Sequence, residues 1–394
     1  MNKSPRALWP LDPEVVFLNH GSFGACPRVV LEAQAELRAQ MERQPVRFLQ
    51  REFEPLLDAA RAELAAFLKA RPDDLVFVHN ATAGVNAVVR SLDFRPGDEL
   101  LTTDHAYNAC RNVLVEAARR SGATVVVTEV PFPLESDEQI VTAIMAKVSD
   151  RTRLALIDHI TSPTALVFPV DRLIRALEQR GVEVLVDGAH APGAVALDLD
   201  GLRPHYYTGN LHKWVCAPKG AGFLWARPDR QETLRPVIVS HGENIRRPGR
   251  STFHDRFDWP GTLDPTAWLS VPQALRFGAG LYAGGWDELR ERNHQLAISA
   301  RALVASRLGV PLPCPNQLLS CMATIELPEP FQRRPFNGER FDPIQTEIYE
   351  KSCVEVPVMR WGKTMRRWLR LSAHAYNTTC DYRTLAETVV RITP

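Results

Sequence analysis

Residues 182–224 read VEVLVDGAHAPGAVALDLDGLRPHYYTGNLHKWVCAPKGAGFL. The stretch opens as a continuous apolar run that stops at Asp187, and it closes on a glycine-rich turn preceded by Lys213, set between His212 and Trp214. Continuous apolar strands fit a sheet covered on both faces. A lysine in an apolar run is costly unless it reaches water or something uses its amine. Two polar groups thus stand at the ends of sheet segments, where open parallel sheets bind ligands.

The same pattern extends outward. Short apolar runs at 74–79, 98–104, 123–130, 153–161, 182–188 and 220–226 read as strands. Helical periodicity falls between them, around 83–92, 108–120, 137–148, 170–180 and 229–234, and two helices precede them over 28–69. Strands alternating with helices of this length predict βαβ units, hence an α/β fold with a mostly parallel sheet flanked by helices. Residues 242–265 (GENIRRPGRSTFHDRFDWPGTLDP) are polar, basic and rich in Gly and Pro, the texture of a long loop. A helical region over 266–308 and strand–helix material follow, with another loop at 328–342. The organisation expected is a large α/β domain over 20–262 and a smaller α+β domain over 263–394, to which residues 1–19 are assigned.

The 394 residues are 45% hydrophobic and 24% charged, with a formal net charge of +1. That balance belongs to ordinary globular chains and gives no general pull toward nucleic acid or anionic membrane. No segment approaches the roughly 18–20 apolar residues of a membrane span. The opening MNKSPRALWPLDPEVVFLNHG lacks the apolar core of a secretory leader, so export is not expected. Seven cysteines, widely spaced and without a C-x-x-C pair, argue for a reducing cytoplasm over a disulfide framework. The eleven histidines are scattered, and no metal chemistry is expected.

Asn80-Ala81-Thr82-Ala83-Gly84 leads from the first strand straight into a helix. Small residues there let backbone N–H groups approach an anion, and the helix dipole favours a phosphate; ordinary capping by Asn or Thr explains the same residues. Asp187 before Gly188 is equally a turn aspartate, and His190 an ordinary buried histidine. Taken together, a phosphate-shaped helix start, a carboxylate and a sheltered lysine on successive strand ends have one joint chemical meaning. Pyridoxal phosphate uses all three: a lysine for its aldehyde, an anion for its ring nitrogen and a helix N-terminus for its phosphate.

These residues also carry a resemblance. FLNHGSFGACP, HNATAGVNAVVRSL, TTDHAYNACRN, DHITSPTALVFPV, VDGAHAPGAV, GNLHKWVCAPKGAGFLW and RLSAHAYNT occur in an order that resembles the class V aminotransferase-like group of fold-type-I pyridoxal-phosphate enzymes. The group includes cysteine desulfurases and isopenicillin N epimerases, and the motifs look most like the epimerase-type branch, over roughly residues 17–392. The resemblance implies Lys213 as the lysine that holds the cofactor, Asp187 as the partner of its ring nitrogen and His190 beside its phenolic oxygen. It places Ala81, Thr82, Asn210 and His212 near the phosphate. Either His105 or Tyr107 stacks on the ring, with His105 favoured, and Ser162 stands where desulfurases carry asparagine. Arg370 is implied to hold the substrate carboxylate, with His20 as a further substrate contact. Gly261–Thr262 match a segment that reaches a partner's phosphate, implying a homodimer with shared active sites. Arg246, Arg247 and Arg250 either line the cleft mouth or form a solvated basic loop.

Three reactions start from this constellation: epimerisation, β-elimination and transamination, each with Lys213 as acid–base. Epimerisation needs a second acid–base group opposite Lys213, for which Tyr107 and His105 are candidates. A desulfurase needs a nucleophilic cysteine on a mobile loop, and Cys353 falls one residue from that position. The expectation is an epimerase-like enzyme acting at Cα of an amino acid or its derivative. The alternatives are a C–S lyase or cysteine desulfurase, and a non-catalytic binding protein that retains the fold. A plain nucleotide-binding protein is disfavoured because no G-x-G-x-x-G follows the first strand.

Overall fold

The strand–helix alternation builds one seven-stranded sheet. The structure is a computed structural model and describes residues 5–393. Its strands, in chain order, are β1 (Val16–Phe17), β2 (Leu75–Val78), β3 (Glu99–Thr103), β4 (Thr124–Thr128), β5 (Thr152–Asp158) and β6 (Glu183–Gly188). They continue with β7 (Tyr206–Asn210), β8 (Gly222–Ala226), β9 (Met322–Glu326), β10 (Val354–Glu355), β11 (Val358–Trp361) and β12 (Arg366–Ser372). The large sheet has the order β2-β8-β7-β6-β5-β3-β4, and only β8 runs antiparallel to its neighbours.

Side chains alternate between two cores, as the two-residue period of a strand requires. Phe77, Ala155, Ile157, Val184 and Val186 face one layer, with Leu57 and Leu64 of the helix Phe53–Leu68. Val76, Leu154, Leu156 and Leu185 face the other, with Val85 and Val88 of the helix Ala81–Ser91. Each fully buried Val or Leu contributes about 1.5–3 kcal/mol, which is why these strands read as unbroken apolar runs. In register, Asp158 lies opposite Asp187 and Asp187 opposite Thr208, so the polar ends of β5, β6 and β7 stand side by side. Gly84 lets the helix Ala81–Ser91 press onto β7, since a Cβ there would lie 2.1 Å from Thr208 Oγ1.

The C-terminal part forms a three-stranded antiparallel sheet, β11-β12-β9. The helices Gly285–Leu308 and Thr379–Arg391 share a core with it through Ala297, Val304, Leu385 and Val389. β1 pairs in parallel with β10, which ties the N-terminal segment to this part. Ala267, Trp268, Val271 and Leu275 pack into the core of the large sheet.

Two sequence expectations need correction. Residues 229–234 hold only a 3-10 turn, Pro228–Arg230. Within 242–265 lies a helix, Thr252–Asp258, capped by Ser251 Oγ accepting from the His254 N–H. Its Phe253 and Phe257 are buried one turn apart. Arg247 pairs with Glu54 and Asp255, and Arg250 with Asp58 and Asp258, while Arg246 donates to backbone carbonyls. Arg247 and Arg250 fasten the segment to the helix Phe53–Leu68, whereas Arg246 is exposed and bonds only within its own segment; none of the three lines the cavity.

Candidate active site

The carboxyl ends of β5, β6 and β7, the start of the helix Ala81–Ser91 and the turn His20–Gly24 enclose a cavity of about 240 Å³. Lys213 lies three residues beyond β7, in a turn that bends through Cys216 at φ 62°. The turn is held closely. Gly24, at φ +71°, would place a Cβ 2.1 Å from the His212 carbonyl oxygen, so only glycine fits there. His20 Nε2 lies 2.9 Å from the Lys213 carbonyl oxygen, and Lys219 Nζ donates to the Gly24 carbonyl at 2.8 Å.

The Lys213 side chain turns inward. Its Nζ lies 3.0 Å from His190 Nε2, and no carboxylate pairs with it among the described residues. Burial, aided by the Arg370 guanidinium, brings the Lys213 amine down to about 7. A lysine in that range is a nucleophile and a proton acceptor at neutral pH. Burial, and then Lys213, also hold His190 well below the usual imidazole range, so its ring is neutral. His190 Nδ1 has no partner among the described residues.

Asp187 lines the same cavity, buried, with its Oδ1 accepting from the Ala189 N–H at 3.0 Å. Burial raises its carboxyl, and the Cys110 thiol, the Ala189 N–H and the Lys213 charge oppose that rise. At the helix start, Asn80 Oδ1 accepts from the Ala83 N–H and Asn210 Oδ1 from the Ala81 N–H. The Ala81 amide is therefore already engaged, and the Thr82 N–H is the donor of this turn left without a protein acceptor. His212 Nδ1 faces the Ala221 carbonyl oxygen at 3.1 Å while the residue lines the cavity. Burial lowers His212 to about 4.

Arg370, in β12, is buried and lies outside the cavity lining itself, behind Ser22 and Ser162. One terminal nitrogen donates to the Ser162 carbonyl and hydroxyl oxygens, at 2.7 and 3.2 Å, and the other to Ser22 Oγ at 2.9 Å. Its Nε has no partner, and burial lowers the guanidinium to about 10. Ser22 and Ser162 both line the cavity.

Four further sequence-derived residues lie outside the lining: His105, His20, Thr262 and Cys353. His105 does not line the cavity: it is fully buried, with Nδ1 2.6 Å from Thr164 Oγ1 and Nε2 3.0 Å from the Val130 carbonyl, packed edge-on to Trp361. Tyr107, two residues on and 47% exposed, does line it. His20 is also fully buried and outside the lining, with its second ring nitrogen 2.7 Å from the Tyr376 hydroxyl. It stacks on His374, and with Cys216 these residues bring three ligand-type atoms within 4.8 Å. His20 Nε2 is already engaged by the Lys213 carbonyl, so the cluster supports the lysine turn from behind. Thr262 sits on an exposed stretch away from the lining. Cys353 caps a helix in the left-handed region and is likewise outside it.

The structure adds residues that the sequence reading passed over. Asp158 lines the cavity beside Asp187, and its signal was present: LALID ends on an aspartate just as VLVD does. Ser22 and Phe23 lie in an irregular turn, where no periodicity marks an inward-facing residue.

Pyridoxal phosphate fits these residues. Lys213 offers an amine lowered to about 7, Asp187 a buried carboxyl, Thr82 an N–H at a helix start and His190 a buried Nδ1, the last two without a partner among the described residues.

The aminotransferase class-V family profile matches residues 15–329. The chain is 36% identical to isopenicillin N epimerase of Amycolatopsis lactamdurans, over 96% of this chain and 95% of that protein. It is 31% identical to the putative L-cysteine desulfhydrase 1 of Oryza sativa subsp. japonica, over 96% of this chain and 83% of that protein. Among solved structures, the complex of the cystine C-S lyase C-DES with cysteine persulfide superposes with a TM-score of 0.80 at 20% identity, covering 97% of this chain and 99% of that one. That likeness is one of fold.

Proposed function

Because the chain belongs to the aminotransferase class-V family, we propose that it is a pyridoxal-phosphate enzyme of the isopenicillin N epimerase type, acting at Cα of an amino acid or amino-acid derivative. The observation that carries this reading is the buried, unpaired Lys213 amine beside His190, in one cavity with Asp187.

When bound, the cofactor supplies an electron sink for the bond broken at Cα. Lys213 would hold the cofactor's aldehyde, and its amine is the group that would take or return a proton at Cα. Asp187 would pair with the ring nitrogen, and His190 with the phenolic oxygen. Thr82 and His212 receive the phosphate, with Asn210 bracing the helix start through the Ala81 amide. Arg370 grips the substrate carboxylate with its planar fork, and Ser22 and Ser162 orient that fork. Tyr107 is the ring platform and the candidate for the second acid–base group that epimerisation requires. The protein acts as a homodimer in the cytoplasm, with Gly261–Thr262 reaching the partner's phosphate site.

A second reading, β-elimination at a C–S bond, is favoured by the cysteine desulfhydrase relatives. A persulfide-carrying desulfurase has less support, since no cysteine lines the cavity among the described residues. The test of the main reading is reconstitution with pyridoxal phosphate. The protein-bound absorbance band forms in the wild type and is lost in Lys213→Ala. A variant that keeps both the band and full turnover would contradict the lysine assignment.

A further inference from the structure

Asp187 and Asp158 are paired in register on adjacent parallel strands, both buried and both lining the cavity. Two carboxylates so placed resist double ionisation. Their surroundings differ. Asp187 Oδ1 accepts from the Ala189 N–H at 3.0 Å, and Oδ2 accepts from the Cys110 thiol at 3.1 Å. Asp158 accepts from backbone groups alone, the Tyr107 N–H and its own, and no side-chain donor reaches it among the described residues. Cys110 is buried in the first turn of the helix Asn108–Ser121, and its thiol reaches under the cavity floor to that one oxygen.

We propose that Cys110 is a positioning residue: its S–H, with the Ala189 N–H, holds Asp187 as the ionised, oriented member of the carboxylate pair, and Asp158 carries the pair's proton. This rests on the reading of Asp187 as the partner of the cofactor's ring nitrogen. The Cys110 thiol is the side-chain donor that Asp187 has and Asp158 lacks, and a donor held on a carboxylate favours its charged form, because a hydrogen bond to a charged acceptor is stronger than a neutral one. Burial pushes both carboxyls up, and the Asp187 charge adds to the rise of Asp158. Burial also keeps the Cys110 thiol well above its ordinary range, so it remains a donor.

The experiment is 15N NMR of the holoenzyme loaded with pyridoxal phosphate labelled at the ring nitrogen. The wild type is expected to show the protonated-ring shift, and Asp187→Asn the unprotonated one. Cys110→Ala moves the shift toward the unprotonated value and weakens cofactor retention about tenfold. Cys110→Ser restores both, and Asp158→Asn, an amide in place of a neutral acid, leaves the shift in place. A wild-type shift in Cys110→Ala, or loss of the ring proton in Asp158→Asn, overturns the proposal. A wild-type shift in Asp187→Asn instead overturns the underlying Asp187 reading, a separate result. If Cys110→Ala does not fold, the infrared S–H stretch of the full chain decides. It rises in frequency in Asp187→Asn if the bond exists, and an unmoved band overturns the proposal.

Discussion

Lys213 Nζ and His190 Nε2 lie 3.0 Å apart with no carboxylate pairing with the lysine among the described residues, so an amine and a neutral imidazole share the floor of the cavity. Each is buried: burial and then Arg370 disfavour the charged form of Lys213, and burial and then Lys213 disfavour that of His190. A lysine held this way costs the cofactor-free fold, and the cost is recovered when an aldehyde takes the amine.

That cost has a pH signature. The Lys213 amine is lowered from 10.5 to about 7, so the unfolded chain binds more protons between those values. The favourable contribution of neutral Lys213 is present above the unfolded value and is lost as pH falls through about 7. Lys213→Met should therefore stabilise the cofactor-free protein most at pH 6 and progressively less toward pH 10. The slope of the difference reaches at most about 1.4 kcal/mol per pH unit. Denaturant unfolding of both proteins across pH measures it, and a pH-independent difference would contradict the lowered amine.

Arg370→Lys should retain a positive charge while losing the fork shared by Ser22 and Ser162. The expected loss in kcat/KM is about tenfold to a hundredfold, with cofactor absorbance unchanged. Steady-state kinetics with unchanged spectra confirm the carboxylate role. A fall in cofactor occupancy would move Arg370 from the substrate to the fold.

Tyr107 and His105 separate by phenotype. Tyr107→Ala should weaken cofactor retention about three- to tenfold, whereas Tyr107→Phe keeps it, because the ring face does the holding. His105→Ala should leave retention unchanged and cost the fold about 1–3 kcal/mol, through the partners left at Thr164 and Val130. Paired dialysis and denaturation measurements distinguish the two, and the opposite assignment of phenotypes would restore His105 as the platform.

Cys353→Ala should leave turnover and sulfur release from cysteine at wild-type levels, since its position at a helix cap lies outside the cavity lining. Loss of sulfur transfer in that variant, measured with a thiol trap, would reinstate the desulfurase reading.

What the sequence disclosed follows from what leaves a periodic trace. Lys213 and Asp187 were legible because each interrupts an apolar strand pattern at its carboxyl end, where parallel sheets bind ligands. The two-layer core was legible in runs such as LALI and VLV. The loop after β3 has no period, so which of His105 and Tyr107 faces inward depends on tertiary packing against Trp361 and Thr164. The helix Thr252–Asp258 was hidden by flanking Gly and Pro, although Ser251 and the Phe253/Phe257 spacing marked its cap and its buried face. The Cys110–Asp187 contact joins residues 77 apart in sequence and leaves no local pattern.

The most direct measurement is a proton NMR time course of the reconstituted enzyme with L-amino acids in D2O, cysteine and its S-conjugates included. The account predicts loss of the α-proton signal with the side chain intact and growth of the D-isomer. Pyruvate and a released sulfur species, with no D-isomer from any substrate, would contradict epimerisation and establish a C–S lyase on the same scaffold.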